Sequence, residues 1–209
     1  MKLENLERVL ERITKPIVVD IPSANSGFEE KFHFIDSIGI LANDPSFTGW
    51  GWVVVNMKGN VVDVGCIKTE SESKKRRIRK GDDTVRRIGE INEQLSKVIS
   101  ENNVQIILSE LPHGSQSASA AVMIGAVAGI MQTMADCKGL PIDWYGESDA
   151  KKHLLNKRSA TKEETIKAIS KIYNIPWTGV KYKDEAIADA MAIYHVAKSQ
   201  SPLLKMNLR

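Results

Sequence analysis

Apolar positions recur along the chain in two periods, and the switches between them lay out the elements. Leu3, Leu6, Val9, Leu10 and Ile13 fall at helical spacing, which predicts a short amphipathic helix over residues 3 to 14. Residues 15 to 35 hold Pro16, Pro22, Asn25 and Gly27 and read as irregular connector. Ser37 to Ala42 is a short apolar run, read as a buried strand. Gly51 to Met57 and Val61 to Ile67 are rich in β-branched residues, and Lys58-Gly59-Asn60 between them is a hairpin signal. These three runs predict an antiparallel meander. A helix is expected from about Asp83 to Asn102, with Val85, Ile88, Ile91, Leu95, Val98 and Ile99 as its apolar stripe. Val104 to Ser109 and Leu140 to Tyr145 read as further strands, and Ser117 to Asp136 as a helix rich in Ala, Gly and Met. Thr161 and Glu164 form a capping box at the start of a helix striped by Ile166, Ile169, Ile172 and Tyr173. Lys183 to Lys198 is the last expected helix.

The order is strand, strand, strand, helix, strand, helix, strand, helix, helix. It predicts an α/β fold: a mixed sheet of three antiparallel meander strands and then parallel strands, with helices on both faces. The expected domains are an N-terminal extension with a short helix (1–35), one α/β domain (36–199) and a C-terminal tail (200–209).

With 209 residues, 42% hydrophobic and 26% charged, the chain can bury a core without disulfide staples. Its two cysteines, Cys66 and Cys137, lack CxxC spacing and sit among apolar neighbours, so they read as reduced core residues. The N-terminus does not read as a signal peptide. No apolar run reaches the ~18 residues of a membrane span; the nearest is Ala118 to Ala128. The expectation is a cytoplasmic protein with no membrane partner. No GxxxxGK[ST] phosphate loop is present, which argues against an ATPase.

Net charge is only +3, but Lys74-Lys75-Arg76-Arg77-Ile78-Arg79-Lys80 holds six basic residues in seven, with Arg86 and Arg87 close behind. Such a run fits a phosphate footprint; the alternative is a solvated loop.

Acids mark the ends of elements. Asp44 follows the first core strand, and Glu110 ends the run Val104 to Ser109 just before Pro112. Asp189 is embedded in Ala186-Ile187-Ala188-Asp189-Ala190-Met191-Ala192, with Asp184 and Glu185 ahead of it. A carboxylate in apolar sequence needs a partner, and several together need a cation. Glu185 and Asp189 (i, i+4) share a helix face, whereas Asp184 points away. Carboxylates without a His or Cys cluster suit Mg²⁺ or Mn²⁺.

The segment Ile40-Leu41-Ala42-Asn43-Asp44-Pro45-Ser46-Phe47-Thr48-Gly49-Trp50-Gly51 resembles the first motif of RuvC-type Holliday junction resolvases, in the ribonuclease H-like superfamily. Ile107-Leu108-Ser109-Glu110 is similar to the second, and the Ser- and Ala-rich helix with Gly125 and Gly129 follows it. Ala150-Lys151-Lys152-His153 and Ala160-Thr161-Lys162-Glu163 resemble the basic motif. Ala188-Asp189-Ala190-Met191-Ala192-Ile193 resembles the final helix. The resemblance covers about residues 36 to 198, in order. It implies a ribonuclease H-like five-stranded mixed sheet and a nuclease domain over 36–199.

It also implies two-metal phosphodiester hydrolysis, with two Mg²⁺ or Mn²⁺ ions per site, and a homodimer built on helix 117 to 136 that cuts branched DNA. Asp44, Glu110 and Asp189 would hold the metals. The family's fourth ligand falls at Ala186, so Glu185 is the substitute and Asp184 the second choice. Lys151 and Lys162 would stabilise phosphate charge. Lys74, Lys75, Arg76, Arg77, Arg79 and Lys80 would contact duplex arms, and Ser115, Gln116 and Ser117 the backbone. His113 stands where the family often has a stacking aromatic. The alternatives are an RNA–DNA hybrid nuclease of the same superfamily and a non-cleaving branched-DNA-binding protein.

Overall fold

The computed structural model describes residues 38–73, 77–112, 114–115 and 117–207. The helix expected at 3 to 14, and the connector after it, lie outside the described residues. Three strands come first: β1 (Gly39–Asp44), β2 (Gly49–Asn56) and β3 (Val61–Lys68). Then follow α1 (Lys80–Glu101), β4 (Val104–Glu110), α2 (Ala118–Lys138), β5 (Ile142–Tyr145), α3 (Glu147–Leu155), α4 (Lys162–Ile172), α5 (Lys181–Gln200) and α6 (Pro202–Asn207). The sheet order is β3-β2-β1-β4-β5. β1–β2 and β2–β3 pair antiparallel, β1–β4 and β4–β5 parallel. This is the expected five-stranded mixed sheet.

Alternation along the central strands sorts the core. Ile40 and Ala42 of β1 and Ile106 and Leu108 of β4 face α5, with Ile187, Ala190, Met191 and Ile193 packed on them. Leu41 and Ile107 face the opposite way, onto Ile91 and Leu95 of α1 and Val127 and Met131 of α2. Continuing the alternation, Asp44 and Glu110 emerge on the α5 face. The sheet therefore has two poles. β1, β4 and β5 all end at one. At the other, the β2–β3 turn is tightened by Asn56 Oδ1, which accepts from the N–H groups of Lys58 and Asn60, and by Gly59 in the left-handed region at φ 85°.

Several expectations are corrected. A further helix, α3, stands between β5 and α4. The expected tail contains α6, whose Leu203 and Leu204 enter the α5-side core, with Ser201 Oγ accepting from the Leu204 N–H. Cys137 is exposed and Cys66 only part-buried: Cys137 lies on the open side of α2, and Cys66 lies on β3, an edge strand of the sheet. Val85 and Ile172, expected in apolar stripes, are exposed; each lies close to an end of its helix, beyond the packed stretch. α2 has the length and apolarity of a membrane-crossing helix, with mean hydropathy 1.6 over its most apolar stretch, although no single uninterrupted apolar run signals it. It is capped by Ser117, which accepts from the Ala120 N–H, and by Gly139 at φ 64°. Only its Val127, Ile130, Met131 and Ala135 are buried.

Candidate active site

Asn43 pairs with Ser109 across the parallel β1–β4 ladder, so the next residues, Asp44 and Glu110, end side by side. Glu110 pairs with Tyr145 of β5. Two residues on, Glu147 opens α3 at the same pole. α5 crosses this face with its run of small residues and brings in Asp189, 5% exposed. The close approach depends on Gly51, the β2 partner of Asp44. A Cβ on Gly51 would lie 2.1 Å from the Ala186 carbonyl oxygen, so α5 rests directly on the backbone of β2.

Two lysines enter this acidic corner. Lys162, at the start of α4, donates to the Asp189 carboxylate. Lys151 of α3, 9% exposed, is ion-paired with Glu147 one turn earlier. Burial pushes the Asp44 carboxyl up to about 6; the Lys162 and Lys151 charges oppose that and the Glu147 charge adds to it. Burial pushes Glu110 up to about 8, reinforced by the charges of Asp44 and then Glu147. Both shifts have the same origin: carboxylates withdrawn from water with too little positive charge nearby.

The loop after Asp44 is fixed from α1. Arg87 lies over the Phe47 ring, 4.3 Å to its centroid, and donates to the Phe47 carbonyl and the Thr69 hydroxyl at 2.9 and 2.8 Å. Arg86 donates to Asp83 and to the Glu70 carbonyl. These two arginines brace loops, so they do not extend the basic footprint. Trp50 is fully buried and donates to Asn43 Oδ1, so it packs.

The remaining candidates separate. Glu185 lies one turn before Asp189, 3.9 Å from Lys181. Asp184 turns to the preceding loop, accepting from the N–H groups of Thr178 and Gly179 and the Thr178 hydroxyl at 2.8, 3.0 and 2.7 Å. Both of its carboxylate oxygens serve the turn, which leaves Glu185 the first choice for the fourth ligand and Asp184 the second. Arg79 pairs with Asp82, and Lys80 donates to Ser119 at 3.1 Å, tying the starts of α1 and α2 together. Ser115 donates to the Ser117 carbonyl, and Ser117 is a helix cap. Lys74, Lys75, Arg76, His113 and Gln116 lie outside the described residues. Glu147 was absent from the sequence-derived site. Its signal was its place just past the end of a strand, as for Asp44 and Glu110.

Every acid at this corner offers carboxylate oxygen, the donor of Mg²⁺ and Mn²⁺ rather than of softer metals. Among the described residues no three His, Cys, Asp or Glu side chains form a finished cage; lysines hold Asp189 and Glu147 instead. The deficit of positive charge around Asp44 and Glu110 fits a divalent cation.

The family model for crossover junction endodeoxyribonuclease RuvC matches residues 40–196. This chain belongs to the RuvC family. The match runs from β1 into α5 and takes in all four acids of the corner and both lysines. Crossover junction endodeoxyribonuclease RuvC of Protochlamydia amoebophila (strain UWE25) is 25% identical over 171 residues, 80% of this chain and 94% of the relative. That of Geobacter sp. (strain M21) is 26% identical over 169 residues, 79% and 97%. Among solved structures, Thermus thermophilus RuvC in complex with Holliday junction substrate matches with TM-score 0.60 at 20% identity, covering 81% of this chain and 95% of that one. The yeast mitochondrial Holliday junction resolvase matches with TM-score 0.52 at 11% identity, covering 93% and 91%. Both share the RuvC fold, in the ribonuclease H-like class expected above.

Proposed function

We propose that this RuvC-family nuclease resolves four-way DNA junctions by hydrolysis that depends on two Mg²⁺ or Mn²⁺ ions, acting as a homodimer in the cytoplasm. The family makes it a crossover junction endodeoxyribonuclease, a structure-selective hydrolase; the ion count, the residue roles and the dimer are our reading. The observation that carries it is the meeting of Asp44, Glu110 and Asp189 with Lys162 at one pole of the sheet. Asp44 would serve both cations, Glu110 one, and Asp189 with Glu185 the other. Bound there, the cations supply an activated water and charge for the leaving 3′ oxygen.

The chain's own groups do the rest. Glu110, whose carboxyl is favoured by burial in the protonated form, would hold a cation as the carboxylate. Lys151 and Lys162 stand at the same corner, where ammonium groups offset the charge of a phosphate in transit. Arg87 holds the loop after Asp44 against α1, so that carboxylate keeps its place. The basic run from Lys74 to Lys80 draws in duplex arms, and Ser115 and Ser117 offer hydroxyls to the backbone. The exposed small and apolar positions of α2, with Val122 62% exposed, support its use as the dimer face.

The test is cleavage of labelled four-way junction, fork, linear duplex and RNA–DNA hybrid with Mg²⁺, Mn²⁺ or EDTA. Metal-dependent paired nicks across the junction are expected, lost in Asp44→Asn while junction binding persists. Cutting of hybrid alone would overturn the reading. So would tight junction binding without cutting, the outcome expected if Ala186, seated on Gly51, marks a site that has lost its chemistry.

A further inference from the structure

We propose that Glu147 is a positioning residue of the cleavage site, holding the Lys151 ammonium at the corner formed by Asp44 and Glu110. Glu147 lies outside every motif on which the family resemblance rests. The inference depends on the nuclease reading above. Three observations carry it. Glu147 opens α3 two residues after Tyr145, the β5 partner of Glu110, so backbone pairing fixes its place. It pairs with Lys151 at i, i+4 in the favourable order, acid before base. Lys151 is itself 9% exposed, and a long ammonium side chain so withdrawn from water needs a fixed counter-charge. The charges of both residues are felt at Asp44 and Glu110, which places the pair at the reacting corner and not on a remote face.

Without Glu147, the four-carbon stem of Lys151 is free to turn toward Asp44 or Glu110 and neutralise a carboxylate meant for a cation. Glu147 thus acts through Lys151. Its side chain is 44% exposed and the released ammonium finds a new counter-charge in Asp44 or Glu110, so its loss weighs little on folding: melting temperature is expected to stay within about 2 °C of wild type.

The experiment is a double-mutant cycle with full-length protein, a labelled four-way junction and saturating Mg²⁺. Glu147→Ala is expected to lower kcat between about tenfold and a hundredfold, with the KM for junction changed less than about threefold. Glu147→Gln, which keeps the shape and an acceptor oxygen, recovers part of the loss. In a Lys151→Ala background, Glu147→Ala has no further effect, because effects carried by one interaction do not add. Mn²⁺ affinity without DNA, read by water proton relaxation, changes less than about threefold. Additive losses would overturn the proposal, and a large fall in Mn²⁺ affinity would make Glu147 a metal ligand instead. Wild-type protein that fails to cut the junction would sink the nuclease reading itself; wild type that cuts while the cycle is additive sinks only the role of Glu147.

Discussion

The seat of α5 on β2 can be tested with one methyl group. A Cβ on Gly51 would lie 2.1 Å from the Ala186 carbonyl oxygen, 2.4 Å from its carbonyl carbon and 2.8 Å from its Cβ. Ordinary carbon–oxygen contact begins near about 3.3 Å, so α5 must retreat by about 1 Å. The obstruction is helix backbone, with no flexible side chain to swing aside. Gly51→Ala should therefore cost about 3 kcal/mol, the upper part of the usual range for overpacking, and lower the melting temperature by about 6–12 °C. Asp189 lies one turn beyond Ala186 on the same helix, so the same retreat draws its carboxylate from Asp44. A misplacement of about 1 Å can cost ~100-fold in rate. Differential scanning fluorimetry and single-turnover junction cleavage below the variant's melting point give the two numbers. Gly89→Ala, in α1 with nothing within 4 Å of the new methyl, is the control, expected to be up to ~1 kcal/mol more stable. A Gly51→Ala protein that melts and cuts like wild type would refute the close seat and its bearing on the site.

Other consequences are equally open to measurement. Asp184→Asn should cost about 1 kcal/mol by loosening the Thr178–Gly179 turn while leaving most cleavage intact, whereas Glu185→Gln should impair cleavage; the reverse order would move the fourth ligand to Asp184. Asp44 and Glu110 are raised to about 6 and about 8, so the folded metal-free protein keeps protons that the unfolded chain releases. Their contribution is therefore full below about pH 4 and lost as pH rises through 6 and 8. In EDTA, wild type should lose stability from about pH 4 to 8 relative to the Asp44→Asn/Glu110→Gln variant, and parallel urea curves for the two would contradict the shifts. Neutralising Lys74 to Lys80 should weaken binding to every DNA form and reduce its salt slope; unchanged binding at several salt concentrations would make the run a solvated loop.

The strands were legible in the sequence because β-branched runs broken by Lys58-Gly59-Asn60 and by Pro112 leave few other readings. α4 was legible through its capping box, formed in full by Thr161 and Glu164. α3 was not: its nine residues, Glu-Ser-Asp-Ala-Lys-Lys-His-Leu-Leu, carry no apolar stripe, and only Ala150 and Lys151 are buried. α6 was too short to show a period. At the site, Asp44, Glu110 and Asp189 stood out because each is an acid set against apolar sequence. Glu147 has polar neighbours; its place just past an expected strand was its one signal, and the pairing of β4 with β5 shows where it lies. Cys137 misled because the apolar run of α2 hid that the residue itself stands between Asp136 and Lys138 in the last turn, on the side of the helix turned from the core.

The two poles of the sheet bear on how the chain can be handled. All the chemistry collects where β1, β4 and β5 end, while the β2–β3 turn sits at the far end of the same strands. The backbone bonds joining Asn56 to Lys58, Gly59 and Asn60 are local, so a longer hairpin leaves the strand ladder in place provided Gly59 keeps its place beside the Tyr194 hydroxyl. A fluorophore or affinity loop grafted at Lys58 therefore rides on a rigid ladder that leads straight to Asp44. The distance from such a label to one on a junction arm would report how DNA docks, without a foreign atom near the acids.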